Sequence, residues 1–237
     1  MILAITQARF GSTRLPGKVL KEVRGKTMLQ IHLERLKASK KLDQIMVATT
    51  FEPEAGEIVR IADEMGVRTF KGSTLNVLER YYKCASQIKP EYVVRITSDC
   101  PLIDPQEIDY LIDGFLNGKY DYASNGMNPT FPDGMDAEIF TFSALEKAYH
   151  NASLPEDMEH VTSYIWKNST FWGGTLFKSF NYHGQLDFSC YRLTLDTPND
   201  FDNIRILIEH LGDRKTWREY VNFVDQNPHL FINIKTK

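Results

Sequence analysis

Residues 7–20, QARFGSTRLPGKVL, set Arg9, Arg14 and Lys18 around Gly11, Ser12 and Thr13, directly after the apolar stretch ILAIT. Small residues let backbone N–H groups converge on an oxyanion, a planar guanidinium grips it through paired donors, and an ammonium adds a compact charge. That is phosphate chemistry. A solvated basic turn has the same composition, and position favours the phosphate reading. Open α/β sheets bind ligands at the C-terminal ends of their strands, and ILAIT reads as a first parallel strand. The P-loop pattern G-x-x-x-x-G-K-[ST] does not fit. Five residues separate Gly11 from Gly17, Val19 offers no hydroxyl after Lys18, and Pro16 lacks an N–H.

Two carboxylates complete the constellation. In RITSDCPLIDP an apolar strand ends and Asp99 follows at the mouth of the sheet; in YRLTLDTPNDF another ends in Asp196. Taken singly, each is an ordinary turn former or helix cap, the reading that suits Asp104 and Asp200. Taken together, carboxylates from two strands hold a magnesium ion that also accepts phosphate oxygens and water. A polyphosphate needs cations on its outer oxygens and charge stabilisation where the transferred phosphorus reacts. The set describes nucleotidyl transfer.

The elements that must position these residues alternate. Strands are expected at 2–6, 44–50, 67–71 and 92–97, and helices at 27–38, 52–66, 73–88 and from 104. Ser73 or Thr74 reads as the third helix's N-cap, Asp104 as the fourth's, with Pro105 at its first position. The second half is less regular. Strands are expected at 121–125, 135–142 and 191–196, and helices at 143–152, 156–168, from Pro198 to about His210, and near 216–225. Such alternation predicts an α/β fold, a mostly parallel Rossmann-like sheet with helices on both faces. With no repeat or linker, one domain over 1–237 is the economical reading, residues 168–190 forming a small antiparallel extension or a dimer contact.

Composition narrows the partners. A formal charge of −3 over 237 residues argues against a general nucleic-acid binder, so any anion site must be local. Cys84, Cys100 and Cys190 have no metal-ligand spacing and read as reduced thiols. No apolar run approaches membrane-spanning length, and MILAITQA is too short for a signal peptide. A cytoplasmic protein without membrane or nucleic-acid partners is expected.

In order, QARFGSTRLPGKVL, GSTLNVLERYYK, RITSDCPLIDP, PDGMDAEIF, EHVTSYI and LTLDTPNDF resemble the spore-coat polysaccharide type of cytidylyltransferase. That family is related to the acylneuraminate and deoxy-octulosonate (Kdo) cytidylyltransferases, and the likeness spans about residues 1–210. It implies a nucleotidyltransferase (glycosyltransferase-A-like) fold. It also implies transfer of CMP from CTP to a sugar, sugar acid or sugar phosphate for surface polysaccharide synthesis, with magnesium as cofactor. By the resemblance, Arg14 and Lys18 meet the triphosphate and act in catalysis with Asp99 and Asp196, the metal ligands. Gly11, Ser12 and Thr13 offer backbone donors, Ala8 and Arg9 lie near the base, and Gly72 and Arg80 edge the nucleotide. Asp133, Asp136, Glu138 and His160 fall on the acceptor side. A homodimer is the expected assembly.

Three positions depart from the family's pattern. Ser98 replaces a glycine before Asp99, Met158 stands where an arginine is usual, and Ser163 where a proline is. A side chain at 98 narrows the approach to the metal, and loss of the arginine removes a cation from the acceptor side. His160 reads as a structural or orienting group, since Glu159 beside it faces elsewhere on a helix. Rival readings are a guanylyl- or uridylyltransferase, a glycosyltransferase on the same broad fold, and a non-catalytic nucleotide sensor. The glycosyltransferase reading wants a D-x-D motif, whose second acid SDC lacks.

Overall fold

Burial along the first strand sets the layers. In β1 (Ile2–Gln7) Ile2 and Ala4 enter one core while Leu3 and Ile5 enter another, because successive side chains leave a strand on opposite faces. The computed structural model describes residues 1–235. A small hairpin, β2 (Glu22–Val23) and β3 (Lys26–Thr27), leads into α1 (Met28–Lys37), whose Thr27 and Gln30 form a capping box. Then β4 (Gln44–Thr50), α2 (Ala55–Glu64), β5 (Arg68–Gly72), α3 (Val77–Ser86), β6 (Tyr92–Thr97) and α4 (Pro105–Gly118) follow in strict alternation.

The second half adds β7 (Tyr122–Ser124), β8 (Glu138–Thr141), α5 (Phe142–Asn151), α6 (Pro155–Glu159) and α7 (Ser163–Lys167). It ends with β9 (Ser179–Asn181), α8 (Pro198–Leu211) and α9 (Trp217–Gln226). The strand order of the main sheet is β5-β4-β1-β6-β8-β7-β9, with β8 antiparallel to both neighbours and the other pairings parallel. Helices α1, α2 and α4 pack on one face; α3 and α5 cover the other. A third core gathers α8 and α9 around Leu193, Leu195 and Trp217. Since the chain leaves β1 toward β4 and returns to pair β6 on its other side, the reversal point falls beside β1. A crevice opens there beyond the strand ends. No helix among the described residues is long and apolar enough to cross a membrane.

The expected parallel α/β architecture is present; its departures are local. Residues 191–196 form no strand of the sheet. Arg192 makes a single bridge to Asp133 and Tyr191 one to Lys235. The facing backbone turns at Gly134, whose φ is +102° and whose added Cβ would lie 2.6 Å from the Leu193 carbonyl carbon, so no ladder can continue past it. The helix expected over 156–168 is two, broken where buried Val161 takes φ +41°, a strained conformation for a β-branched residue. Asn76, not Ser73 or Thr74, caps α3, while Asp104 caps α4 as read. Within 168–190, Ser179–Asn181 joins the sheet parallel to β7 rather than as an antiparallel extension.

One buried polar contact lies directly under the crevice. His32 on α1 is fully buried, with Nδ1 2.9 Å from the Cys100 carbonyl and Nε2 2.9 Å from the Thr6 hydroxyl. A carbonyl only accepts, so Nδ1 carries the proton and Nε2 accepts from Thr6. Burial pushes the ring's pKa down to about 4 from 6.5. The unfolded chain therefore takes up a proton that the folded one refuses, and stability is lost as pH falls from about 6.5 toward 4. Wild type should lose up to roughly 3 kcal/mol across that window through this group. Urea unfolding between pH 7 and 4.5 should show a visibly flatter dependence for His32→Gln; equal slopes would contradict the assignment.

Candidate active site

The loop after β1 is closed by one carbonyl. Phe10 accepts from Ser12 N–H at 2.8 Å and from Gly17 N–H at 2.9 Å, and Gly17, at φ +66°, turns the chain into a short 3-10 turn. The Phe10 ring lies against Gly17 where a Cβ would come within 3.0 Å. That turn starts with Lys18, whose side chain is 12 % exposed and whose ammonium lies 2.9 Å from Asp99 and 2.8 Å from Asp196. Burial opposes a charged lysine, yet the two carboxylates hold Lys18 above its ordinary pKa. Burial likewise works against ionised Asp196, but Lys18, Arg14 and Arg192 together keep it below the usual carboxylate value.

Each carboxylate is fixed by its own segment. Ser98 is buried and its hydroxyl donates to the Gln7 carbonyl at 2.7 Å, which fastens the end of β6 to β1. The Asp99 carbonyl accepts from Leu195 N–H (2.8 Å) and the Thr194 hydroxyl (3.1 Å), drawing the 191–196 segment alongside. Asp196 donates its N–H to Asp200 (2.9 Å), which forms the capping box of α8 with Thr197. Arg192 bonds Asp200 (2.9 Å), Asp196 (3.2 Å) and Asp133 (2.5 Å), and Arg14 reaches Asp196 at 3.1 Å.

Two cavities meet beside this cluster. One, of about 510 Å³, is lined by Ala8, Arg9, Ser12, Thr13, Arg14, Lys18, Arg80, Asp99 and Asp196, as the sequence suggests. Gly11 and Gly72 do not line it. Gly72 acts from behind: an added Cβ would fall 2.8 Å from the Arg80 side chain. The N–H of Ser12 is engaged by Phe10, leaving those of Gly11 and Thr13 without a partner among the described residues. Arg9 and Arg80 have no carboxylate in salt-bridge contact among the described residues. Arg80 is buried, donates to the Ser73 carbonyl at 2.6 Å and keeps Nε unpaired. Burial, with Arg9 nearby, pushes its guanidinium below the ordinary value. Two such cations ask for an anion.

The second cavity, of about 520 Å³, is lined by Asp136, Glu138 and His160 among others; Arg95, Thr97 and His160 belong to both. Asp133 belongs to neither, since Arg192 draws it to the Asp196 and Asp200 side. Met158 lines neither. The break at Val161 is what brings His160 to the shared wall. Sequence reasoning missed Arg95, the lone charge in the buried strand YVVRIT. It pairs across the sheet with Glu138, which also accepts from the hydroxyls of Tyr122 and Thr162, each at 2.6 Å. A charge in an otherwise apolar strand was the available signal. Thr74 and Leu75, inside the quoted stretch GSTLNVLERYYK, and Glu159 also line the first cavity.

A family model described as Cytidylyltransferase matches residues 3–229. The spore coat polysaccharide biosynthesis protein SpsF of Bacillus subtilis is 31 % identical, over 96 % of this chain and 95 % of its own. A cytidylyltransferase structure from Leptospira borgpetersenii serovar Hardjo-bovis superposes with a TM-score of 0.91 at 36 % identity, covering all of this chain and 97 % of the other. A CMP:2-keto-3-deoxy-manno-octonic acid synthetase complexed with CTP has a TM-score of 0.66 at 17 % identity, covering 88 % and 98 %, a likeness of fold.

Arg192 balances three carboxylates with its side chain 22 % exposed. Arg192→Met should therefore cost about 2–4 kcal/mol in urea unfolding. The exposed helical pairs of Arg205 should be worth at most about 1 kcal/mol in the matching Arg205→Met variant. Equal costs would mean the acidic cluster needs no such counter-charge.

Proposed function

The chain belongs to the cytidylyltransferase family, and from that we propose that it transfers CMP from CTP to a sugar-type acceptor, releasing pyrophosphate. The observation that carries the reading is the Lys18 ammonium between Asp99 and Asp196, in a cavity where Arg9 and Arg80 have no carboxylate in salt-bridge contact among the described residues. The homologous spore-coat protein supports a role in surface polysaccharide synthesis, and the CTP bound by the octonic acid synthetase supports cytidine as the base.

An acceptor hydroxyl oxygen attacks the α-phosphorus. The new O–P bond forms as the bond to the bridging oxygen of the β-phosphate breaks, and the hydroxyl proton passes to solvent. Arg14 and Lys18 neutralise the departing pyrophosphate, and the N–H group of Thr13, which lines the same cavity, orients its oxygens. Arg80 and Arg9 hold the nucleotide so that its α-phosphorus faces the shared wall of Arg95, Thr97 and His160. Alignment of the two reactants across that wall is the protein's main contribution.

The residues present suit magnesium. Asp99 and Asp196 already converge on one small cation, their donors are hard oxygens, and such an ion takes one or two carboxylates plus phosphates and water. Among the described residues no third acidic or imidazole ligand joins them, which agrees with a site completed by the nucleotide. When bound, the ion would withdraw charge from the phosphate oxygens. Buried thiols at Cys84 and Cys100 support a cytoplasmic setting.

Thermal unfolding with CTP, GTP, UTP or ATP, with and without magnesium, tests the donor. A ligand at a hundred times its dissociation constant adds about 2.7 kcal/mol of stability. CTP with magnesium should give the largest rise, and Asp196→Asn should abolish the magnesium-dependent part. A larger shift with GTP or UTP would change the donor; no shift with any nucleotide would remove the proposal.

A further inference from the structure

The second cavity has a charge inventory unlike the first. Three carboxylates line it, Asp136, Glu138 and Glu156, against the one arginine, Arg95. That arginine is neutralised by Glu138, whose oxygens are further occupied by Tyr122 and Thr162. Glu156 is paired with Lys167 at 2.9 Å, and the same lysine turns to Asp157 at 3.1 Å. The one arginine that lines this cavity is therefore already matched to a carboxylate of the protein.

Asp136 is the exception among the acids. No lysine or arginine lies in ion-pair contact with it among the described residues. Its one hydrogen bond is a long 3.4 Å contact from Gly134 N–H, and it keeps open surface toward the cavity it lines. A second group is also unfilled. Ser163, 1 % exposed and lining the same cavity, has an Oγ without a hydrogen-bond partner among the described residues. A buried hydroxyl left unpaired costs free energy unless a ligand completes it. The Trp166 and Trp172 rings, 5.8 Å apart, supply an apolar face beside these polar atoms, the combination with which proteins hold sugar rings.

Resting on the proposed CMP transfer, we infer that the acceptor is a monosaccharide-sized polyol or amino sugar, whose hydroxyl or ammonium donors meet Asp136 and Ser163. The end that enters this cavity carries no carboxylate or phosphate. An acid group there would face the Asp136 carboxylate with the cavity's one arginine already paired to Glu138. Volume agrees, since about 520 Å³ holds one sugar ring with its substituents.

The test uses the full chain with CTP and magnesium. Panels of hexoses, hexosamines, hexuronates and hexose phosphates, each in several epimers, are followed by pyrophosphate release and by ligand-observed NMR binding. CTP affinity is measured separately. A neutral or amine-bearing sugar should lead both readouts by at least about tenfold over any acid. Asp136→Asn should raise KM for that sugar about tenfold while CTP affinity stays within about twofold, and Ser163→Ala should raise it by less. A uronate or phosphate in the lead, no neutral or amino sugar responding in either readout, or an unchanged KM in Asp136→Asn would overturn the inference and leave CMP transfer standing. Loss of CTP binding in the wild type would remove both.

Discussion

One ammonium lies between two carboxylates that belong to distant parts of the chain, Asp99 and Asp196, 81 and 178 residues from Lys18. Without a cation there, two anions would share a partly buried crevice, so the fold can bring these segments together only by also bringing Lys18. The rest of the site follows from that requirement. The Phe10 carbonyl closes the loop that aims Lys18, Ser98 fastens the end of β6 to β1, and Arg192 carries the remaining acidic charge around Asp200. The same contact explains how a chain of formal charge −3 builds an anion site, since its cations are concentrated at one strand end.

Much of this was legible in the sequence, for identifiable reasons. Strands covered on both faces are continuously apolar, so 2–6, 44–50 and 92–97 stood out, and caps such as Asp104 with Pro105 marked helix starts. The placing of Asp99, Lys18 and Arg14 was readable because strand ends in such sheets face the crevice, whereas Asp196 was reached through a strand pattern that forms no strand of the sheet. What escaped depended on tertiary contacts. Residues 191–196 have a strand's pattern, yet their alternating Tyr191, Leu193 and Leu195 serve the α8–α9 core, and the turn at Gly134 denies them a ladder. The break at Val161 has no glycine or proline to announce it. Gly72, read as an edge of the nucleotide, makes room for Arg80 from outside the cavity lining, and Asp133, read on the acceptor side, lies on Arg192 outside both cavities.

The two cavities differ in chemistry as their proposed occupants do. One gathers arginines and a lysine for a triphosphate; the other keeps its cations paired and leaves a carboxylate and a hydroxyl open. Between them, Arg95 is locked to Glu138 across the sheet, so the dividing wall is held by a cross-strand ion pair rather than by a loop. Reactants placed on either side of a rigid wall element need little further organisation to meet, which is where a transfer reaction with no covalent protein intermediate gains most of its rate.

The most direct measurement compares wild type with Asp99→Asn, recording CTP affinity by calorimetry and pyrophosphate release with an accepted sugar. If Asp99 acts on charge that develops during transfer, affinity should change by no more than a few fold while kcat falls by about a hundredfold or more. Turnover at the wild-type rate in the variant would contradict the account, because the carboxylate pair around Lys18 would then be an anchor for the fold and not the centre of the chemistry.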